Sequence, residues 1–444
     1  MPRKVFISFL GTTDYFPSRY YRGKKFCSDV EKYIQIAALQ YVQRQAVWTK
    51  DDIAYILLTE LAEERNWRDN GHKDREGNVK ENDGLESCLK KCKFPFLYQP
   101  VPNIPEGKNE KEIWQIFKTI HDLIQDGDEL YFDITHGYRY LPMLVVVLGN
   151  YSKFLEKAKV VHILYGNYEG RDKDENDNFI TPARSPIVDL QSFSTLQDWT
   201  YAVADFINNG NADRMSALTY DLSAPLIKKG HERADAFNRM VFSIKDFAKD
   251  METCRGQNIV NGTSMTALDE NLKNIQSLLQ QDNEASVDEL LIPVFGKIRE
   301  MVADFDTDRN IQNGFVAVGW CINHRLYQQA ITILQESVKN YFCTILGYQI
   351  EDDTKRKVIE ALLETAKYTS AYMLPVEMGL PKGETAWSVA MKDIASDYDA
   401  LRKLRNDFNH SGFNERPASP STIEETIKDK YESIKRKLNI CSST

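Results

Sequence analysis

Nothing in this sequence of 444 residues reaches the roughly 18 consecutive apolar residues that a helical membrane span requires. The longest such run, Leu141 to Leu148, is far too short, so no membrane partner is expected. Glycine-rich phosphate loops are also missing. Neither G-x-G-x-x-G nor G-x-x-x-x-G-K-[ST] occurs, which leaves a dinucleotide fold of the usual kind and a P-loop unsupported. Cysteine is sparse: seven residues, odd in number and scattered, do not make a disulfide framework. Cys88 and Cys92 would share one helix face, but no second pair stands at zinc spacing, so they read as structural thiols. No metal cofactor is expected. Positive charge is in deficit, 56 Lys and Arg against 65 Asp and Glu, which excludes a broad basic coat for nucleic acid. A local site remains open, because from Leu401 to Thr444 basic residues outnumber acidic ones nine to six. The first residues faintly resemble a secretory leader, yet they lack a small-residue cleavage site and read as a first strand. A cytoplasmic location is the expectation.

What is present divides the chain. A length of 444 residues exceeds one hydrophobic core. In the first half, strands are expected at Lys4 to Leu10, Ile53 to Thr59, Pro95 to Val101, Glu129 to Ile134, Lys159 to Tyr165 and Pro186 to Leu190. Helical spacing marks Tyr33 to Val47, Glu110 to Ile124, Leu141 to Leu155 and Leu196 to Asn208. Such alternation predicts a doubly wound, mostly parallel sheet. Arg68 to Gly84 and Tyr168 to Asp177 read as surface loops. Beyond about residue 210 only helices are expected, among them one unbroken helix from Gly314 to Leu346 and another from Trp387 to Phe408. The polar run Gln280 to Ala285 marks a loop.

Two short stretches carry chemistry. Thr135-His136-Gly137 ends one strand and Gly11-Thr12-Thr13 ends another, and parallel strands would bring both turns to one sheet edge. Hydroxyls, backbone N–H groups and an imidazole at a helix start suit a phosphate or another anion. Both turns are equally compatible with plain strand-to-helix connections. The second stretch is Arg405-Asn406-Asp407-Phe408-Asn409-His410. Ile394, Tyr398, Leu401 and Phe408 form one helical stripe, and Arg405 falls within it. A charge on a packing seam is costly unless it is paired or functional. The alternatives are an arginine satisfied by a carboxylate such as Asp407, or a cation and imidazole arranged to cleave a phosphodiester. His121, His162 and His324 read as structural imidazoles.

Asp133-Ile134-Thr135-His136-Gly137 resembles the Asp-x-Thr-His-Gly signature of CRISPR-associated proteins with a CARF sensor domain. Phe9 to Thr13 before Tyr15, and Pro186 to Leu190 before Trp199, are similar to that group as well. Arg405 to His410 resembles the Arg-x4-His motif of HEPN ribonucleases, where an Asn commonly follows the Arg, and His324 to Ala330 with Glu336 resembles its accompanying helix. The resemblance implies a Rossmann-like CARF domain over 1–200, a helical connecting region over 201–310, and an all-α HEPN-like domain over 311–444. It implies a cytoplasmic homodimer that degrades single-stranded RNA without metal when a cyclic oligoadenylate, tetra-adenylate by analogy, binds as allosteric activator. No stable association with the CRISPR effector complex is expected. Gly11, Thr12, Thr13, Thr135, His136, Gly137, Tyr138 and Arg139 would then line or rim the messenger pocket. Arg405, Asn406 and His410 would be catalytic. Two rival functions stay open: a ring nuclease that cleaves the messenger in the sensor site, and a non-catalytic sensor that recruits a partner.

Overall fold

The computed structural model describes residues 2–227, 232–279 and 287–440. The loop expected from Gln280 to Ala285 lies outside the described residues. The chain divides into two compact units, Met1–Thr195 and Leu196–Thr444.

The first unit is built on β1 (Lys4–Phe9), every residue of which is buried. Period-two alternation sends its side chains to opposite faces. Phe6 and Leu10 join one core with α1 (Ile34–Gln45) and α3 (Leu85–Cys92), while Val5, Ile7 and Phe9 join the other. That second face is covered by α4 (Glu110–His121) and α5 (Leu141–Leu155). β4 (Ile53–Leu57), β5 (Leu97–Val101), β6 (Glu129–Asp133) and β7 (Lys159–Gly166) complete a parallel set in the order β7-β6-β1-β4-β5. Within this parallel set the chain passes from β1 to β4 and β5 on one side and later to β6 and β7 on the other. The switch point therefore lies where β1 and β6 end side by side, with Ser8 in register with Asp133.

The edge beyond β7 differs from the expected continuation. β8 begins at Ala183, runs to Asp189 and pairs antiparallel with β7. A hairpin that no sequence signal marks, β2 (Ser18–Arg22) and β3 (Phe26–Glu31), extends the sheet from there through parallel pairing of β2 with β8. The loop 68–84 carries an isolated bridge between Lys73 and Val79, and it is preceded by a short helix α2 (Glu60–Ala62) and a π-turn (Glu63–Trp67). The loop after β7 carries a matching bridge between Lys173 and Phe179. Cys88 and Cys92 lie on α3 against the core, and burial pushes both thiols up, Cys92 to about 11.

The second unit is all-helical, with one core running from Trp199 to Ile440. The expected single helix from Gly314 to Leu346 is two: α12 (Gln312–Asn323) and α13 (Tyr327–Ile345). Arg325 takes the left-handed conformation at φ +60, and Leu326 N–H reaches back to Cys321 O at 2.8 Å, a Schellman-type stop made without glycine. His324 reinforces the stop. Its Nδ1 lies 2.7 Å from Trp320 O and its Nε2 3.0 Å from Ile207 O, so this buried imidazole is structural. α13 is the central element and packs against α14 (Asp353–Thr365), α15 (Ala386–Asn409) and α16 (Pro420–Lys437). α15 opens on a capping box between Thr385 and Ser388, and buries Met391, Ile394, Tyr398, Leu401 and Leu404 along one stripe. Among the described residues no helix is long and apolar enough to cross a membrane.

Candidate functional site

At the switch point the carboxyl ends of β1 and β6 open into a cavity of about 360 Å³. Its walls include Thr13, Asp14, Tyr15, Phe16, Tyr20, Thr135, His136, Tyr165, Gly166 and Tyr168. Of the residues expected from sequence, Thr13, Thr135 and His136 line it. Gly11, Thr12, Gly137, Tyr138 and Arg139 belong to the adjoining turns and lie outside its lining. Both glycines are required by their surroundings. A Cβ at Gly11 would collide with the Tyr15 hydroxyl, and Gly137 sits at φ +126 with Leu141 where its Cβ would be. Tyr138 stacks on Tyr140, with ring centroids 5.6 Å apart, rather than on the cavity wall.

Thr135 does something other than present a free hydroxyl. Its Oγ1 donates to Asp133 Oδ1 at 2.5 Å and accepts the Gly166 N–H at 2.8 Å, which ties the end of β6 to the end of β7. Asp133 is fully buried and also accepts from Ser8 Oγ at 2.7 Å and from the Thr135 N–H at 3.1 Å. Burial pushes its carboxyl up, against those hydrogen bonds. The Thr135 hydroxyl is thus a strand-end lock whose donor capacity is spent within the protein.

His136 lies over Tyr15, with centroids 4.2 Å apart and planes 23° from parallel. Burial lowers its imidazole from 6.5 to about 4, so it is neutral at physiological pH and offers stacking and a hydrogen bond rather than charge. Unfolding restores the ordinary value. Between these two pH values the unfolded chain binds a proton that the folded chain refuses, and stability falls as pH falls through that window. The His136 ring resonance is accordingly expected to stay in its neutral form down to about pH 5. An NMR titration with a midpoint near the ordinary histidine value would contradict this environment.

What remains for an anion is backbone. Among the described residues no hydrogen bond uses the N–H of Thr12, Thr13 or Asp14, nor that of His136, Gly137 or Arg139. Two turns with unpaired N–H groups thus meet at one sheet edge, and Thr13, Asp14 and His136 of them line the cavity. Around it stands an aromatic wall that sequence reading missed. Phe16, 70% exposed, stacks on Tyr168 with planes 14° apart, and Tyr20 and Tyr165 stand behind. The cluster of tyrosines before and within β2 was its only signal. Asp14 is bridged by Lys80 at 2.7 Å and Lys32 at 3.1 Å; burial works upward on its carboxyl, but these two cations hold it below the usual range.

The second candidate lies at the end of α15. Arg405 is half-buried, and its Nη1 donates to Oε1 of buried Gln335 on α13 at 3.1 Å. Asp407, the partner that a purely structural arginine would be expected to have, is occupied elsewhere, by Asn414 and by the Ala418 N–H. His410 is the exposed C-cap, with its N–H on Asn406 O at 3.0 Å, and Ser411 and Gly412 turn the chain away at φ +54 and +72. Arg405, Asn406 and His410 thus share the last turns of one helix, and no hydrogen bond joins the arginine to the imidazole. Glu336, beside Gln335, is held by Lys339 and Arg356. Among the described residues no group of three or more His, Cys, Asp or Glu could hold a metal ion.

Residues 5–169 match the family described as "CRISPR system endoribonuclease Csx1, CARF domain". The chain is also similar to the CRISPR-associated protein MJ1674 of Methanocaldococcus jannaschii, at 21% identity over 313 residues. That alignment takes in 69% of this chain and 42% of the relative, so the match spans well under half of the relative's length. Among solved structures it resembles Enterococcus italicus Csm6 bound to cyclic hexa-2'-fluoro-hexa-dAMP, with a TM-score of 0.45 at 9% identity. That likeness covers 100% of this chain and 96% of the other, and is below the level that assigns a fold.

Proposed function

We propose that this chain, a CRISPR-associated protein whose first unit belongs to the CARF domain family of Csx1, is a ribonuclease switched on by a cyclic oligoadenylate. The observation that carries the sensor half is the cavity at the switch point, whose lining joins Thr13, Asp14 and His136, with unpaired N–H groups, to a set of aromatic rings. Phosphates suit the first, and purine rings suit the second. Tetra-adenylate is the proposed activator by family analogy alone. A neutral, stacked His136 and a fully committed Thr135 hydroxyl are poor tools for cutting a phosphodiester, which disfavours the ring-nuclease alternative.

The cutting half is assigned to the helical unit as a HEPN-type domain. The RNA 2′-hydroxyl attacks the adjacent phosphorus, its proton leaves through His410, and the 5′-oxygen departs with a proton returned by the same group or its symmetry mate. Arg405 stabilises the phosphorane that forms between these events, and Gln335 keeps its guanidinium at the seam. Asn406 orients the scissile group. Products would carry a 2′,3′-cyclic phosphate and a 5′-hydroxyl. The test is direct: cleavage of labelled single-stranded RNA should persist in EDTA and vanish on a substrate lacking 2′-hydroxyls. Loss of activity on chelation, or cleavage of the deoxy substrate, would refute this chemistry.

A homodimer is part of the same proposal. A cavity of about 360 Å³ holds a portion of a nucleotide ring rather than the whole, so two copies across a two-fold axis would enclose it with matched contacts. α5 offers a surface for such pairing. Met143, Val147, Tyr151 and Phe154 line one exposed face, with Phe154 at 84% and Met143 at 70%, and Trp114 of α4 stands beside them. A contiguous apolar patch of this kind calls for a partner. Phe154→Glu together with Val147→Glu is expected to yield monomers by sedimentation and to abolish messenger-stimulated cleavage. A wild-type monomer that still responds to messenger would defeat the dimer.

A further inference from the structure

The cavity at the switch point has a support that no motif announces. Asn66 lies in the π-turn Glu63–Trp67 and is fully buried. Its Nδ2 donates to Gly11 O and to Thr13 O, each at 2.9 Å, and its Oδ1 meets His72 Nε2 at 3.0 Å. One side chain therefore holds both ends of the turn that follows β1, and a buried histidine holds that side chain. A second tie runs parallel to it, because Lys80 pairs with Asp14 while its N–H bonds His72 O at 2.8 Å.

The consequence follows from peptide geometry. In a trans peptide the C=O and the next N–H point in opposite directions. Drawing the Gly11 and Thr13 carbonyls onto Asn66 turns the N–H groups of Thr12 and Asp14 away from it, and both are unpaired. We propose that Asn66 is the positioning residue of this pocket: through the Gly11 and Thr13 carbonyls it aims the turn's free N–H donors at a phosphate of the bound nucleotide. An amide is the side chain that suits this place, since it brings two donors and one acceptor in one plane. Aspartate has the same shape but would set carboxylate oxygens against two carbonyls. Position 66 falls within the π-turn, a local form that is frequent at functional sites.

This inference rests on the messenger-pocket reading and is independent of RNA cleavage. Binding of cyclic tetra-adenylate and cyclic hexa-adenylate to the full chain would be measured by calorimetry for wild type, Asn66→Asp, Asn66→Ala and His72→Ala. The two Asn66 variants are expected to bind at least about tenfold more weakly at unchanged stoichiometry, with His72→Ala in between. With RNA present, the half-activating messenger concentration should rise by the same factor while the plateau rate is kept, a split that a general loss of folded protein would not give. NMR spectra without ligand supply the separate arm. The N–H groups of Thr12, Thr13 and Asp14 have no hydrogen bond to lose, so the readout is the amide resonances of residues 11–14, which should shift and broaden in Asn66→Ala while those of β1 keep their positions. Unchanged resonances in that turn, or Asn66 variants that bind as wild type does, would overturn the positioning role. Wild-type protein that binds neither ring, with the turn loosened in Asn66→Ala, would overturn the messenger reading and the ligand named here.

Discussion

His410→Ala is expected to lower RNA cleavage by about 10²–10⁴-fold, the range by which a positioned acid or base accelerates proton transfer. Folding should barely change. His410 is the exposed C-cap of α15, and surface substitutions away from packed features cost within about 0.5 kcal/mol. Messenger binding, which is proposed for the other unit, should be untouched. Arg405→Ala is expected to lose about 10²–10³-fold, as removal of one donor to a developing oxyanion does. Arg405→Lys should not restore it, because a lysine cannot hold the Gln335 carbonyl and still present a planar fork to phosphate. Initial rates on labelled RNA, with calorimetry for the messenger, would check all three. A His410→Ala protein that cleaves as wild type does would remove the active site from this helix end.

Thr135→Val is the second substitution with a large expected effect, and it acts by a different route. Valine keeps the shape and removes the hydroxyl, leaving the Gly166 N–H without an acceptor and Asp133 Oδ1 with only the backbone N–H of residue 135. A buried polar group left unsatisfied costs about 1–3 kcal/mol. The ends of β6 and β7 would separate, and with them the His136 turn and the Tyr165 to Tyr168 wall. Activation by messenger should be lost while any messenger-independent cleavage remains. Thr135→Ser keeps the hydroxyl and should keep most of the response. Equal activation in the valine and serine variants would show that the lock does not shape the pocket.

The contrast between these two residues indicates how far the sequence could be read. The parallel core strands were legible because they are buried on both faces and almost wholly apolar, as in Lys4–Phe9. The hairpin Ser18–Glu31 was not, since only alternate residues are buried and its turn at Gly23 has no two-residue hairpin signature. The stop between α12 and α13 was hidden because Arg325, not glycine, takes the left-handed position. Turn residues Thr135 and His136 could be placed at the sheet edge, yet their roles could not. Whether a threonine hydroxyl is free or spent depends, besides the nearby Asp133, on Gly166, which lies at the end of the neighbouring strand β7. Asn66 was invisible for the same reason, as its partners are Gly11, Thr13 and His72. Arg405 on the seam of α15 was legible from period alone, and its actual partner, Gln335, lies 70 positions away.

One measurement tests the central claim most directly. The purified full-length protein would be incubated with labelled single-stranded RNA in EDTA, with no addition, with cyclic tetra-adenylate and with cyclic hexa-adenylate. Cleavage that is weak alone and rises at least about tenfold with one of the rings, and is absent from the His410→Ala protein, is the predicted result. RNA left intact under every condition, or cut equally with and without either ring, would contradict a messenger-switched ribonuclease.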